Sequence, residues 1–201
     1  MIEKGAKNLT SCLYEACHKG YVNTAKLIIE MPGIPCSGFD YLTIMYYNNQ
    51  ETEKTERLAN MLNTKYLNSI LSAACEGGNV ELIELVIEKG ATDFEHGLYG
   101  ACFGGNIEII NLMIAHGATD WNSGLYAACL GGHVEIIEMM IKKGATDFNN
   151  ALIGACYGKQ FGAAKLMIEK GANNFDRCRH LFSNVSGLIE YIDARKKSQS
   201  T

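Results

Sequence analysis

The segment 134–144, VEIIEMMIKKG, places polar residues at Glu135, Glu138 and Lys142, a single stripe at i, i+3 and i+7, and is otherwise apolar up to its basic end. A helix apolar over most of its circumference must be buried on two sides, which stacking between neighbouring repeats supplies. It closes on Gly144, where the residue after a helix commonly needs left-handed dihedrals. The next segment, DFNNALIGACYG, predicts a second kind of helix. Asp147 caps its start, and Phe148, Leu152, Ala155 and Cys156 fall at i, i+4, i+7 and i+8 to make one apolar face. Glycines at 104–105 and 131–132 end such helices and turn the chain back.

The two patterns recur in register. GATDF, GATDW, GATDF and GANNF begin at Gly90, Gly117, Gly144 and Gly171, and the Ala-Cys pairs at 74/75, 101/102, 128/129 and 155/156 keep the same step of 27 residues. The pair Ala16-Cys17 lies 58 residues before Ala74-Cys75, so the intervening unit carries about four extra residues. Six units follow, at about 8–34, 35–67, 68–94, 95–121, 122–148 and 149–175, with a C-terminal cap at 176–196 and a disordered tail at 197–201. The expectation is one all-α domain over residues 1–201, a solenoid of stacked antiparallel helix pairs. The opening MIEKGA repeats Met167–Ala172, so the array is expected to begin on the tail of a missing unit.

Composition narrows the function classes. The 201 residues are 47% hydrophobic with a net charge of −4, which supplies no broad positive field for nucleic acid or an anionic membrane. Neither a signal-peptide-like stretch nor a bilayer-length apolar run occurs, so a soluble, cytoplasmic chain is expected and the sequons at Asn8 and Asn184 read as accidental.

The cysteines are expected to be inert. Cys75, Cys102, Cys129 and Cys156 are equivalent sites one repeat apart, at a helix spacing of about 8–10 Å, whereas a disulfide needs Cα atoms within about 7 Å. They read as small buried hydrophobes, in a stack expected to hold neither disulfides nor zinc. Cys12, Cys17, His18 and Cys36 lack paired zinc-ligand spacing. The glycines of GLYGACFGG follow no strand and carry no Lys-Ser/Thr ending, so they punctuate turns rather than cradle phosphate. No carboxylate pair or Ser/His arrangement stands apart from the repeats. A non-enzymatic chain without cofactor or metal is the reading.

AACEGGNVELIELVIEKGATDF and AACLGGHVEIIEMMIKKGATDF resemble the ankyrin repeat, over most of residues 8–175. Two departures stand out. The period is shorter than the usual 33 residues, with the deficit in the segment that normally forms the β-hairpin finger, and Gly97-Leu98-Tyr99 and Gly124-Leu125-Tyr126 replace the Thr-Pro-Leu-His signature. An ankyrin-like stack with little or no finger is implied. Finger-lacking repeats with GLYGAC and GATDF phrases are also similar to ankyrin arrays of large DNA viruses.

The resemblance implies a monomeric scaffold that binds another protein on its concave face. Residues following the Ala-Cys pair commonly touch the ligand there: His18, Glu76, Phe103, Leu130 and Tyr157. Glu15, Ala73, Gly100, Ala127 and Gly154 occupy a second variable position, mostly small, implying a shallow trough beside an apolar row. The alternative is that neighbouring loops fold over this row and bury it. Tyr14, Tyr99 and Tyr126, at the ankyrin histidine position, are assigned a structural hydrogen-bonding role. The polar insertion from Glu51 to Glu56 reads as solvated, and the C-terminal piece is too short for a ligase-recruiting module. The alternative function is a structural component of an assembly such as a virion.

Overall fold

The computed structural model describes residues 67–181, with 15, 16, 18, 19, 21, 23–25, 187, 190, 191 and 193; for 179–181 it describes the backbone alone. The unit at 35–67 (except Leu67), the insertion at Glu51–Glu56, Tyr14, Cys12, Cys17, Cys36 and the tail at 197–201 lie outside these residues.

The architecture is an all-α helical repeat, with no strand among the described residues. A helical run at 67–77 is followed by α1 (Val80–Glu88), α2 (Phe94–Gly104), α3 (Ile107–Ala115), α4 (Trp121–Gly131), α5 (Val134–Lys143), α6 (Phe148–Tyr157), α7 (Phe161–Glu169) and α8 (Phe175–Leu181). The chain divides into two compact units, Met1–Ala101 with Glu108–Ala118, and Cys102–Ile107 with Thr119–Thr201. In the second, α6 packs on α4, α7 and α8, while α5 packs on α4 and α7. Within this unit, successive first helices thus pack on one another, and so do the second helices α5 and α7.

Local chemistry fixes each element. Asp120 and Asp147 accept hydrogen bonds from the amides of Ser123 and Asn150, both at 3.0 Å, closing orphan N–H groups at the starts of α4 and α6. The Ser123 hydroxyl, together with that amide, holds the Asp120 carboxyl below its ordinary range. At the end of α5, Gly144 adopts φ 112°, and its amide and that of Ala145 return to the carbonyls of Ile141 and Met140. The same pair of bonds recurs at Gly90, Gly117 and Gly171, all with positive φ. Only residues 91–93, 118–120, 145–147 and 172–174 then separate one repeat's closing turn from the next first helix.

The core follows the expected stripes. Ile136, Ile137 and Met140 are buried while Glu135, Glu138 and Lys142 are exposed. Ala151 through Cys156 are all buried. Burying an aliphatic side chain of this size contributes about 1.5–3 kcal/mol, so each 27-residue unit gains most of its stability from its neighbours.

An asparagine ladder joins consecutive repeats. Asn68 Oδ1 accepts from the amides of Thr92 and Asp93 at 2.8 and 3.1 Å, Asn122 from Thr146 and Asp147 at 2.9 and 3.0 Å, and Asn149 from Asn173 and Asn174 at 2.8 and 3.1 Å. Each such side chain holds the loop that starts the following repeat.

Candidate functional site

The row after the Ala-Cys pairs lies at the C-terminal ends of first helices. In the second unit these are Phe103, Leu130 and Tyr157. Their backbones come together because the position stacked over each carbonyl is glycine: a Cβ on Gly131 would lie 2.5 Å from the Phe103 carbonyl oxygen, and one on Gly158 would meet the Leu130 carbonyl. His133 reinforces this spacing, with Nε2 2.9 Å from the Phe103 carbonyl oxygen. Phe103 and Leu130 are half-buried, while Tyr157 is 50% exposed. The row is therefore neither core nor wholly free. Phe161, at the start of α7, is also 41% exposed.

In the first unit, His18 Nε2 lies 2.8 Å from Glu76 Oε1, so two predicted contact residues separated by 58 positions meet each other. An exposed pair of this kind is worth about 0–1 kcal/mol. Glu15 is exposed and pairs with Lys19 one helical turn on, at 3.2 Å.

The small residues depart from expectation. Gly100, Ala127 and Gly154, and with them Ala73, are buried rather than lining an open trough. They are small because successive first helices approach there: a Cβ on Gly100 would meet the Ser72 carbonyl, and one on Gly154 would lie 2.6 Å from that of Tyr126. Close packing, not ligand access, selects their size.

The cysteines need a second correction. Cys75, Cys102 and Cys129 are buried thiols whose pKa burial pushes up to about 12, which suppresses the reactive thiolate. Cys156, however, is disulfide-bonded to Cys178, with Cα atoms 5.8 Å apart. Equivalent cysteines do not pair with one another. The residue that faces a repeat's cysteine comes from an earlier place in the next first helix, and at Cys178 that place holds sulfur. Among the described residues no three His, Cys, Asp or Glu side chains gather as a metal-ligand set, and no helix is long and apolar enough to cross a membrane.

Stacked helix pairs, joined by glycine turns and three-residue connections, decide the comparison with known families. Residues 98–178 match the family of ankyrin repeats (3 copies). No curated protein matches the chain. The matched segment runs from within α2 into α8 and includes Phe103, Leu130, Tyr157 and both members of the disulfide. Ankyrin repeats are generally protein–protein interaction modules and typically non-enzymatic binding scaffolds.

The asparagine ladder was missing from the sequence reading. Its signal was available, since Asn68, Asn122 and Asn149 occupy one repeat position, second in the first helix.

Proposed function

We propose that the chain is a monomeric, cytoplasmic scaffold that captures a partner protein on the surface formed by Phe103, Leu130 and Tyr157. The observation that carries this reading is the half-exposed row of large apolar side chains, in register on consecutive repeats and most open at Tyr157. Such a row offers aromatic anchors, and its backbone is held rigid by the glycine contacts, so little ordering is needed on binding. Short connections between repeats leave the helix ends, rather than projecting fingers, as the recognition surface. The likeness to arrays of large DNA viruses suggests a host protein as the partner class.

Tyr157 is the cleanest position for a test because it is the most exposed of the three. Tyr157→Ala is expected to weaken partner capture by roughly 30-fold, the equivalent of a hot spot of about 2 kcal/mol, while shifting unfolding by about 0.5 kcal/mol or less. A photocrosslinking residue at 157 should form an adduct with the partner, and one at Glu138 should not. Adducts from Glu138 alone would discard this surface in favour of a structural component held by its second helices.

A further inference from the structure

The disulfide occupies a place that the interior repeats fill differently. Cys75 and Cys102 each face the residue 22 positions later: a Cβ on Gly97 would lie 3.5 Å from Cys75 Sγ, and one on Gly124 would lie 3.3 Å from Cys102 Sγ. The space left by those glycines is taken by methionine thioethers, with Met113 Sδ 3.8 Å from Cys75 Sγ and Met140 Sδ 3.9 Å from Cys102 Sγ. The same step from Cys156 leads to Cys178, on α8, and both side chains are buried.

We propose that Cys156 and Cys178 form a redox latch that fastens α8 over the end of the last repeat. At seven residues, α8 is too short to persist as an isolated helix. It is held by packing of Phe175 and Cys178 on the preceding repeat and by the covalent bond. A small thiol such as glutathione opens the latch by exchange. Its thiolate attacks one sulfur, the S–S bond breaks, and the departing cysteine thiolate takes up a proton. A second glutathione thiolate attacks the glutathione sulfur of the mixed disulfide and expels the remaining cysteine thiolate, which takes up a proton, leaving two protein thiols and one oxidised glutathione. Oxidised glutathione drives the reverse sequence. Because both sulfurs are buried, exchange requires α8 to lift, which ties the redox step to opening of this end. Cys75, Cys102 and Cys129 have no such partner and burial disfavours their thiolates, so among the described cysteines the response is confined to Cys156 and Cys178.

The test uses the full chain equilibrated in glutathione buffers of graded ratio, quenched by alkylation and mapped by mass spectrometry, with trypsin cleavage after Arg177 timed in parallel. Cys156 and Cys178 should become alkylated together as the buffer turns reducing, while Cys75, Cys102 and Cys129 stay protected. Cleavage after Arg177 should accelerate by roughly ten-fold or more on reduction. Failure of the pair to form at any ratio would overturn the proposal, as would equal cleavage rates in the two forms. Cys178→Ser should cleave at the reduced rate in every buffer. If its cleavage still slows under oxidised glutathione, another cysteine is responsible and the latch is excluded.

Discussion

The repeats at 122–148 and 149–175 occupy equivalent positions in neighbouring turns of the array, yet they solve the same problems with different residues. Leu130 is half-buried where Tyr157 is exposed, Cys129 is a thiol where Cys156 is bonded, and Gly132 at φ 82° is replaced by Lys159 at φ 56°. The earlier repeat is covered by the later one: Gly131 and Gly132 face the repeats on either side, Gly131 against Phe103 and Gly132 against Gln160. The later repeat is followed by α8, which packs on α6, and by helical residues around Tyr191, whose hydroxyl lies 3.4 Å from Glu169 Oε1 on α7. Gly132 is therefore constrained twice, by its own backbone and by the Gln160 side chain of the next repeat, whereas the 149–175 repeat carries different chemistry at the corresponding places.

The largest effect expected from this comparison lies at two glycines only four residues apart. An Ala at 158 would put its Cβ against the Leu130 carbonyl, a backbone atom that cannot swing aside, so Gly158→Ala should destabilise by about 2–3 kcal/mol. Gly162, within α7, has open space where its Cβ would stand, and Gly162→Ala should stabilise by about 0.5–1 kcal/mol. Urea denaturation of both variants checks the pair. Similar effects at the two positions would mean that the close approach between repeats does not govern stability.

A smaller effect is expected on the ladder. Asn122→Ala removes the acceptor for two amides at the entry to α6, and Asn149→Ala does the same before α8, each at a cost of about 1 kcal/mol because solvent reaches both sites. Aspartate retains an acceptor, so Asn122→Asp should recover more than half of the loss. Thermal unfolding of the three variants reads this directly, and equal losses for Ala and Asp would show that the amide donors are satisfied elsewhere.

What was legible in the sequence had a repeat behind it. The 27-residue step placed the glycine turns, and the helical periodicity placed Ile136, Ile137 and Met140 in the core with Glu135 and Glu138 outside. The asparagines shared that step, but in a polar stretch each looked like a solvated residue; only the paired distances to two amides reveal the ladder. Cys178 was misjudged because pairing was sought between equivalent cysteines. Spatial neighbours across this stack are offset: Cys75 faces Gly97 and Cys102 faces Gly124, a step of 22 and not 27. Similarly, Gly100 and Gly154 were read as open positions by family likeness, whereas the carbonyls of Ser72 and Tyr126 fill the space beside them. For the predicted row, sequence located Phe103, Leu130 and Tyr157 but not their unequal exposure, which depends on what covers each repeat.

The smallest effect is expected at Lys159, and the reverse change at Gly132 tests what the following repeat imposes. Lys159 sits at φ 56° in the turn after α6, a left-handed conformation that is costly for a residue with a Cβ. Glycine occupies the equivalent place at Gly78, Gly105 and Gly132, so among the described residues only the 149–175 repeat accepts the strain. The reason lies beyond the backbone. A side chain on Gly132 would also run into Gln160, whose carboxamide carbon and oxygen lie 2.5 Å from the Cβ position, whereas Lys159 is exposed. Lys159→Gly should therefore stabilise the chain by about 0.5–1 kcal/mol, the left-handed strain being relieved and partly offset by the greater freedom of glycine in the unfolded chain. Gly132→Lys should destabilise by about 1–2 kcal/mol, the left-handed strain being joined by the cost of moving the Gln160 carboxamide aside. The two substitutions exchange the same residues in opposite directions, and simple backbone preference would make their effects equal and opposite. A clear excess for Gly132→Lys in chemical denaturation would measure what the following repeat imposes, and equal magnitudes would show that it imposes nothing there.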